Sequence, residues 1–175
     1  MNTVQPELWR DFFITFGQSV AALLGLLFVA NSFHLDKLGA DPLLHRRAHN
    51  ISLVMLFMFL ESLAVLIPQN RIALAVELFA TNVPQFYLPL AVLVTMLRRK
   101  LAIPHWRISL GILCPLICMI GAVLVGFDIW WGMHVVAIAS AISLFVIVTN
   151  AWAMMLGMWR TDLLSRDEQS GSPTK

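Results

Sequence analysis

Apolar runs of membrane-crossing length fill this sequence from residue 12 to residue 158, and nearly all charge lies at the joints between them. A helix needs about 20 mostly apolar residues to cross the hydrocarbon core of a bilayer. Five segments meet or nearly meet that length: residues 12–35, 51–68, 72–97, 108–127 and 133–158. They are bounded by Asp36 and Lys37, by Pro68-Gln69-Asn70-Arg71, by Arg98-Arg99-Lys100, by Gly126-Phe127-Asp128 and by Arg160. Asp128 and the flanking glycines part the fourth run from the fifth, which together would be far too long for one crossing. Composition closes off the alternatives. Apolar residues make up 59% of the 175 residues, charged residues 13%, and the mean hydropathy is +0.79. A soluble domain of this length leaves too much of its surface wet to hide so much apolar area. Disorder is excluded on the same grounds. Two cysteines exclude a disulfide framework, and a net charge of +2 is too small to indicate nucleic-acid binding.

Basic residues orient the spans, because cytoplasmic loops are enriched in Lys and Arg. Five crossings put Lys37, Arg46, Arg47, Arg98, Arg99, Lys100, Arg107, Arg160, Arg166 and Lys175 on one side, and only Arg10 and Arg71 on the other. The tryptophans fit the same frame, with Trp9, Trp130 and Trp131 at the outer ends and Trp106 and Trp159 at the inner ends. The expected fold is all-α: an integral membrane bundle of five transmembrane helices in a cell inner membrane, N-terminus outside and C-terminus cytoplasmic. Residues 1–160 form this domain, and residues 161–175 read as a polar, disordered cytoplasmic tail. The first segment does not read as a signal peptide, since Glu7, Arg10 and Asp11 precede an overlong apolar run. In the first cytoplasmic loop, Asp41-Pro42 reads as the N-cap and first position of a short helix. The tight turn at Pro68–Arg71 makes the second and third spans an antiparallel hairpin. An odd span count with no internal repeat argues against two inverted halves, so any permeation path calls for several copies.

Two carboxylates interrupt the apolar runs. Glu61 and Glu77 lie eight residues either side of Gln69, at the centre of that turn. At about 1.5 Å per residue, each is expected about 10–12 Å below the outer end of its helix, at nearly equal depth. An ionisable residue there costs about 3 kcal/mol on insertion scales and marks a functional site by default. Two close carboxyls can share a proton or hold a hard cation. The plainer alternative is interhelical hydrogen bonding. At about 100° per residue, Glu77, Thr81, Pro84, Gln85 and Thr95 form a stripe on the third span, where Pro84 kinks the helix and frees a carbonyl. Asn50 shares the face of Glu61, and Gln18 and Ser140 are expected near its depth. An ion path through Glu61, Glu77, Thr81, Gln85, Gln18 and Asn50 follows. Gly17, Ala21 and Gly25 recur every four residues, the spacing that lets membrane helices approach closely.

Other candidates weigh less. His45 and His49, with His34, His105 and Asp41, could gather as a metal cluster, but a basic loop helix on anionic headgroups explains them better. His134 stands alone, which argues against haem. Cys114 and Cys118 lie on one helix face without a C-x-x-C spacing and read as packing, and Met154, Met155 and Met158 as gap-fillers. No phosphate-binding loop, nucleophile elbow or H-E-x-x-H is present, so the balance is against an enzyme, and neither metal nor cofactor is expected.

The stretch Ala21-Ala-Leu-Leu-Gly-Leu-Leu-Phe-Val-Ala30, with Ser32-Phe-His-Leu35 and Pro42-Leu-Leu-His-Arg-Arg-Ala48, resembles the N-terminal half of small uncharacterised bacterial multispan membrane proteins. That resemblance implies no activity. The residues themselves lead to a homo-oligomeric protein that conducts or transports a small cation or protons through the paired carboxylates. The alternative is a non-conducting accessory or regulatory subunit docked to a larger membrane complex. Expected partners are the bilayer, a second copy of the chain or such a complex.

Overall fold

The computed structural model describes the backbone of residues 9–33, 42–98 and 105–170, and the side chains of residues 9–33, 44–91, 93, 94 and 109–156. Every regular element among them is a long helix: α1 (Arg10–Ser32), α2 (Pro42–Leu66), α3 (Arg71–Arg98), α4 (His105–Gly126) and α5 (Trp131–Ser170). Four stretches are long and apolar enough to cross a membrane, Arg10–Ser32, Leu44–Leu66, Ser109–Gly126 and Trp131–Leu156. This is the architecture of a multi-pass membrane protein. In α3, Glu77, Thr81, Asn82, Gln85, Pro84 and Pro89 lower the hydropathy.

Helix boundaries follow local chemistry. Pro42 opens α2, where its missing N–H costs nothing and its fixed φ suits the first turn. The helix then runs without a break to Leu66, so the helix expected to start at Pro42 is the beginning of the span itself; Asp41, its expected cap, lies outside the described residues. Pro68 prevents α2 from continuing. Asn70 caps α3, its Oδ1 accepting from the Ala73 backbone N–H at 2.8 Å. At the α4–α5 joint, Asp128 adopts φ +62°, a left-handed conformation that short polar side chains tolerate. The Arg71 guanidinium pairs with the Asp128 carboxylate at 2.5 Å, tying the α2–α3 turn to the α4–α5 turn. The helical backbone of α5 persists to Ser170, past the point where composition suggests disorder; Asp162 and Arg166, four apart, suit a helix.

Each helix packs on its chain neighbour, and α5 returns to touch α2 and α1. Helix α2 therefore contacts α1, α3 and α5, and its C-terminal half is well enclosed, with Met55, Met58, Glu61, Ser62, Ala64 and Val65 buried. The core around it is apolar, with Phe13, Val20, Leu27, Met55, Met58, Leu74, Leu78 and Val136 buried. Leu26, Phe28, Val76, Val83, Ile120, Ile138 and Phe145 point outward, as expected of helices whose surroundings are hydrocarbon.

Glycine sets the closest approaches. A Cβ on Gly132 would lie 2.7 Å from the Val125 backbone nitrogen, and one on Gly121 would lie 3.1 Å from that of Val136. A Cβ on Gly17 would strike Ser62 Oγ at 2.5 Å, which places α1 directly on α2. Ala21 and Gly25, by contrast, are exposed, and Gly25 has open space around it. Only the first member of the expected small-residue stripe therefore packs within the chain. Gly132→Ala is expected to destabilise the bundle by about 1–3 kcal/mol through overpacking against backbone. Gly25→Ala should leave stability unchanged or raise it slightly, because alanine is the better helix former. Melting temperatures of the detergent-solubilised full chain check both.

Candidate functional site

Enclosure by three helices makes any polar side chain in the C-terminal half of α2 dependent on partners, since an unsatisfied buried polar group costs about 1–3 kcal/mol. Glu61 is 1% exposed there, and Ser62, Asn82, Gln85 and Ser140 are buried as well. From α5, Ser140 Oγ lies 2.6 Å from Glu61 Oε1 and 2.8 Å from the Val136 carbonyl. From α3, Gln85 Nε2 donates to Glu61 Oε2 at 3.2 Å and to the Thr81 carbonyl at 3.3 Å. The Asn82 side-chain amide also neighbours the carboxyl. Its Nδ2 donates to the Leu78 carbonyl at 2.9 Å, while its Oδ1 is buried without a hydrogen-bond partner among the described residues. Behind Ser140, Cys118 Sγ sits 3.6 Å from the hydroxyl.

A count of hydrogens defines the chemistry of this cluster. Glu61 Oε1, Ser140 Oγ and the Val136 carbonyl form two short oxygen–oxygen contacts, yet the Ser140 hydroxyl supplies one hydrogen. Asn82 Oδ1 adds a further acceptor with no donor. The sequence offers no compensating base, having no Lys or Arg between Arg47 and Arg71, between Arg71 and Arg98, or between Arg107 and Arg160. The cluster thus holds one carboxyl, several oxygen acceptors and no basic side chain. Among the described residues, no group of three or more His, Cys, Asp or Glu side chains could hold a metal ion.

Glu77 does not join Glu61. It is half-buried nearer the Asp128 end, where Gln69 Nε2 bridges Glu77 Oε2 at 2.7 Å and the Ala64 carbonyl at 2.9 Å. Glu61 is level with Gln85 and Gln69 with Glu77, so the hairpin is centred on Ala73 rather than on Gln69. Residues 67–70 between the two helices are not helical, so counting residues from Gln69 at the helical rise does not give the levels. Glu77 ends up about 12 Å from the Glu61 level, eight helical residues along α3.

Thr81 stands between the two carboxyls, its Oγ1 donating to the Glu77 carbonyl at 3.0 Å. A polar series thus runs Gln69, Glu77, Thr81, Gln85, Glu61, with Pro84 half-buried beside Gln85. The remaining candidates are scattered. Gln18 is exposed on α1; Asn50 is half-buried eleven residues along α2 from Glu61. His45 and His49 are exposed, and the side chains of His34, Asp41, His105, Thr95 and Met158 lie outside the described residues. His134 is surrounded by the rings of Trp9, Trp130 and Trp131, at centroid distances of 4.7, 5.3 and 5.3 Å.

Sequence reasoning missed Asn82, Cys118 and the Val136 carbonyl. A helical reading centred on Leu78 rather than Glu77 would have put Asn82 and Gln85 on one buried face, since Leu78, Asn82 and Gln85 recur at the four- and three-residue spacing of one stripe. No family model, no curated protein and no solved structure matches the chain.

Ser140→Ala removes the only hydroxyl on Glu61 Oε1 and is expected to cost about 1–3 kcal/mol. In the background of Glu61→Gln the same change should cost measurably less, because the two side chains share one interaction. A double-mutant cycle on thermal unfolding in detergent reads the difference; additivity of the two changes would mean that the contact carries no stability.

Proposed function

We propose that the protein carries protons or a small cation across a cell inner membrane, with Glu61 as the binding group midway and Glu77 near the outer mouth. The single observation behind this reading is the acceptor-rich cluster around Glu61, built from three helices and lacking any basic side chain. A purely structural contact would be served more cheaply by neutral groups, because burying a carboxyl in hydrocarbon surroundings is costly.

In this reading α3 is the fifth span. Its 28 residues extend about 42 Å at the helical rise, and it packs between α2 and α4, both of them apolar enough to cross. Five crossings put the N-terminus outside and the C-terminus, with most of the basic residues, in the cytoplasm. The outer route follows Gln69, Glu77, Thr81 and Gln85 down to Glu61, each step a side chain or carbonyl able to accept a cation or pass a proton. Pro84 and Pro89 support it, since each lacks the N–H that would occupy a carbonyl four residues earlier. The outward face of α1, with Gln18, Ala21 and Gly25 exposed, supports self-association, because small and polar residues mediate helix contacts in bilayers. The same face favours a second reading, a non-conducting accessory subunit docked to a larger membrane complex.

Flux separates the two. In proteoliposomes carrying a pH-sensitive dye and a panel of cation gradients, wild-type protein is expected to conduct. Glu61→Gln should reduce the rate to that of empty vesicles, and Glu77→Gln should slow it without abolishing it, because Glu77 is lateral to the binding group. Folded wild-type protein that gives no flux above empty vesicles would overturn the transport reading in favour of the accessory one.

A further inference from the structure

We propose that Glu61, Ser140, the Val136 carbonyl and Asn82 form a binding site for one dehydrated monovalent cation of the size of sodium. This inference rests on the reading of Glu61 as the transport site and names what that site holds.

The donor atoms decide the class of ion. Glu61 Oε1, Ser140 Oγ, Val136 O and Asn82 Oδ1 are all oxygens, the ligands that hard cations prefer. The nearby sulfur, Cys118 Sγ, lies 3.6 Å from Ser140 Oγ and 3.9 Å from the Val136 carbonyl, and a hard cation prefers those oxygens to it. One carboxylate balances one positive charge. A divalent ion would keep a second, uncompensated charge inside the bundle, where such a charge costs several kcal/mol.

Geometry narrows the size. Glu61 Oε1 and Ser140 Oγ are 2.6 Å apart, and Ser140 Oγ and the Val136 carbonyl 2.8 Å. Oxygens so closely gathered need to open only slightly around a sodium-sized ion, and considerably more around potassium.

Asn82 is the independent sign that this place is made for a ligand. It is 1% exposed, its amide neighbours Glu61, and its Oδ1 has no hydrogen-bond partner among the described residues, whereas buried polar atoms are nearly always satisfied. The terminal torsion of asparagine is soft, so Oδ1 can turn onto an ion at Glu61 without displacing α3. Gln85 meanwhile holds the other carboxylate oxygen, Oε2, through its Nε2, which leaves Oε1 for the ion. Three helices then share one ligand: α2 through Glu61, α3 through Asn82, and α5 through Ser140 and Val136.

Binding of the ion alone tests this without reference to transport. The purified full chain in detergent is melted in sodium, lithium, potassium or choline chloride at constant ionic strength, and retention of radioactive sodium is measured by equilibrium dialysis. A saturable rise in melting temperature with sodium, a weaker one with potassium and none with choline is expected, with about one sodium retained per chain. Asn82→Leu keeps the branching and removes the oxygen; it should weaken sodium binding at least tenfold while the protein still unfolds cooperatively. Thr149→Val, which removes a half-buried hydroxyl of α5 that bonds only the Val146 carbonyl, should bind as wild type does. Equal shifts in sodium and choline, retention no greater than background, or unaltered binding by Asn82→Leu would each overturn the site. Proton flux without sodium binding would leave the transport reading standing and remove this inference; sodium binding without flux would do the reverse.

Discussion

The bundle depends on the contact between Glu61 in the C-terminal half of α2 and Ser140 on α5, 79 residues later in the chain. Most helix pairs here are sequence neighbours, and their packing follows from connectivity. The return of α5 onto α2 has no such help. It is closed by glycine at the α4–α5 crossing, by apolar packing around Val136 and Ala137, and by one hydroxyl on one carboxyl. Because hydrocarbon tails are as apolar as the helix faces, apolar surface alone gives little reason for α2 to prefer α5 over lipid. A polar group that would otherwise be stranded supplies that preference. The group that orders the bundle is also its only deeply buried ionisable carboxyl among the described residues, so architecture and chemistry are joined at Glu61.

That junction explains why the two carboxyls play unequal parts. Glu61 is held by side chains from two other helices and lies where α2 is most enclosed. Glu77 is held by Gln69, from the turn that precedes its own helix, and stays half-buried. In the proposed transport role, an ion would meet Glu77 first, in surroundings that still screen charge, and Glu61 only after losing its hydration. The intervening Thr81, Gln85 and proline-freed carbonyls give it oxygens along the way. The arrangement grades burial along one helix face.

Much of this was legible in the sequence, and the part that was not has a common cause. The helices, four of them long and apolar enough to cross a membrane, the α2–α3 hairpin and the isolation of Glu61 and Glu77 follow from apolar run length and from which residues interrupt it. Depth did not follow, because counting residues from Gln69 treats the turn as helix, whereas residues 67–70 are not helical and the partner of Glu61 is Gln85 instead of Glu77. Helix rotation did not follow either. The stripe drawn through Glu77 and Thr81 was about one residue off the face that is buried, which is why Asn82 escaped notice and Gln85 did not. Gln18 and Asn50 have suitable composition and depth, but their placement depends on which way α1 and the start of α2 turn, and tertiary packing alone decides that. The Val136 carbonyl carries no sequence signal at all.

The central claim is that Glu61 is a cation-binding group and more than a strut between helices. A hydrophobic carbodiimide, which reacts with carboxyls from the apolar phase, tests it most directly in native membranes or detergent, read by mass spectrometry of the modified residue. The account predicts an adduct on Glu61 whose formation is slowed in a saturable way by sodium and left alone by choline. An adduct that forms at the same rate whatever cation is present would contradict it and leave Glu61 with a structural part only.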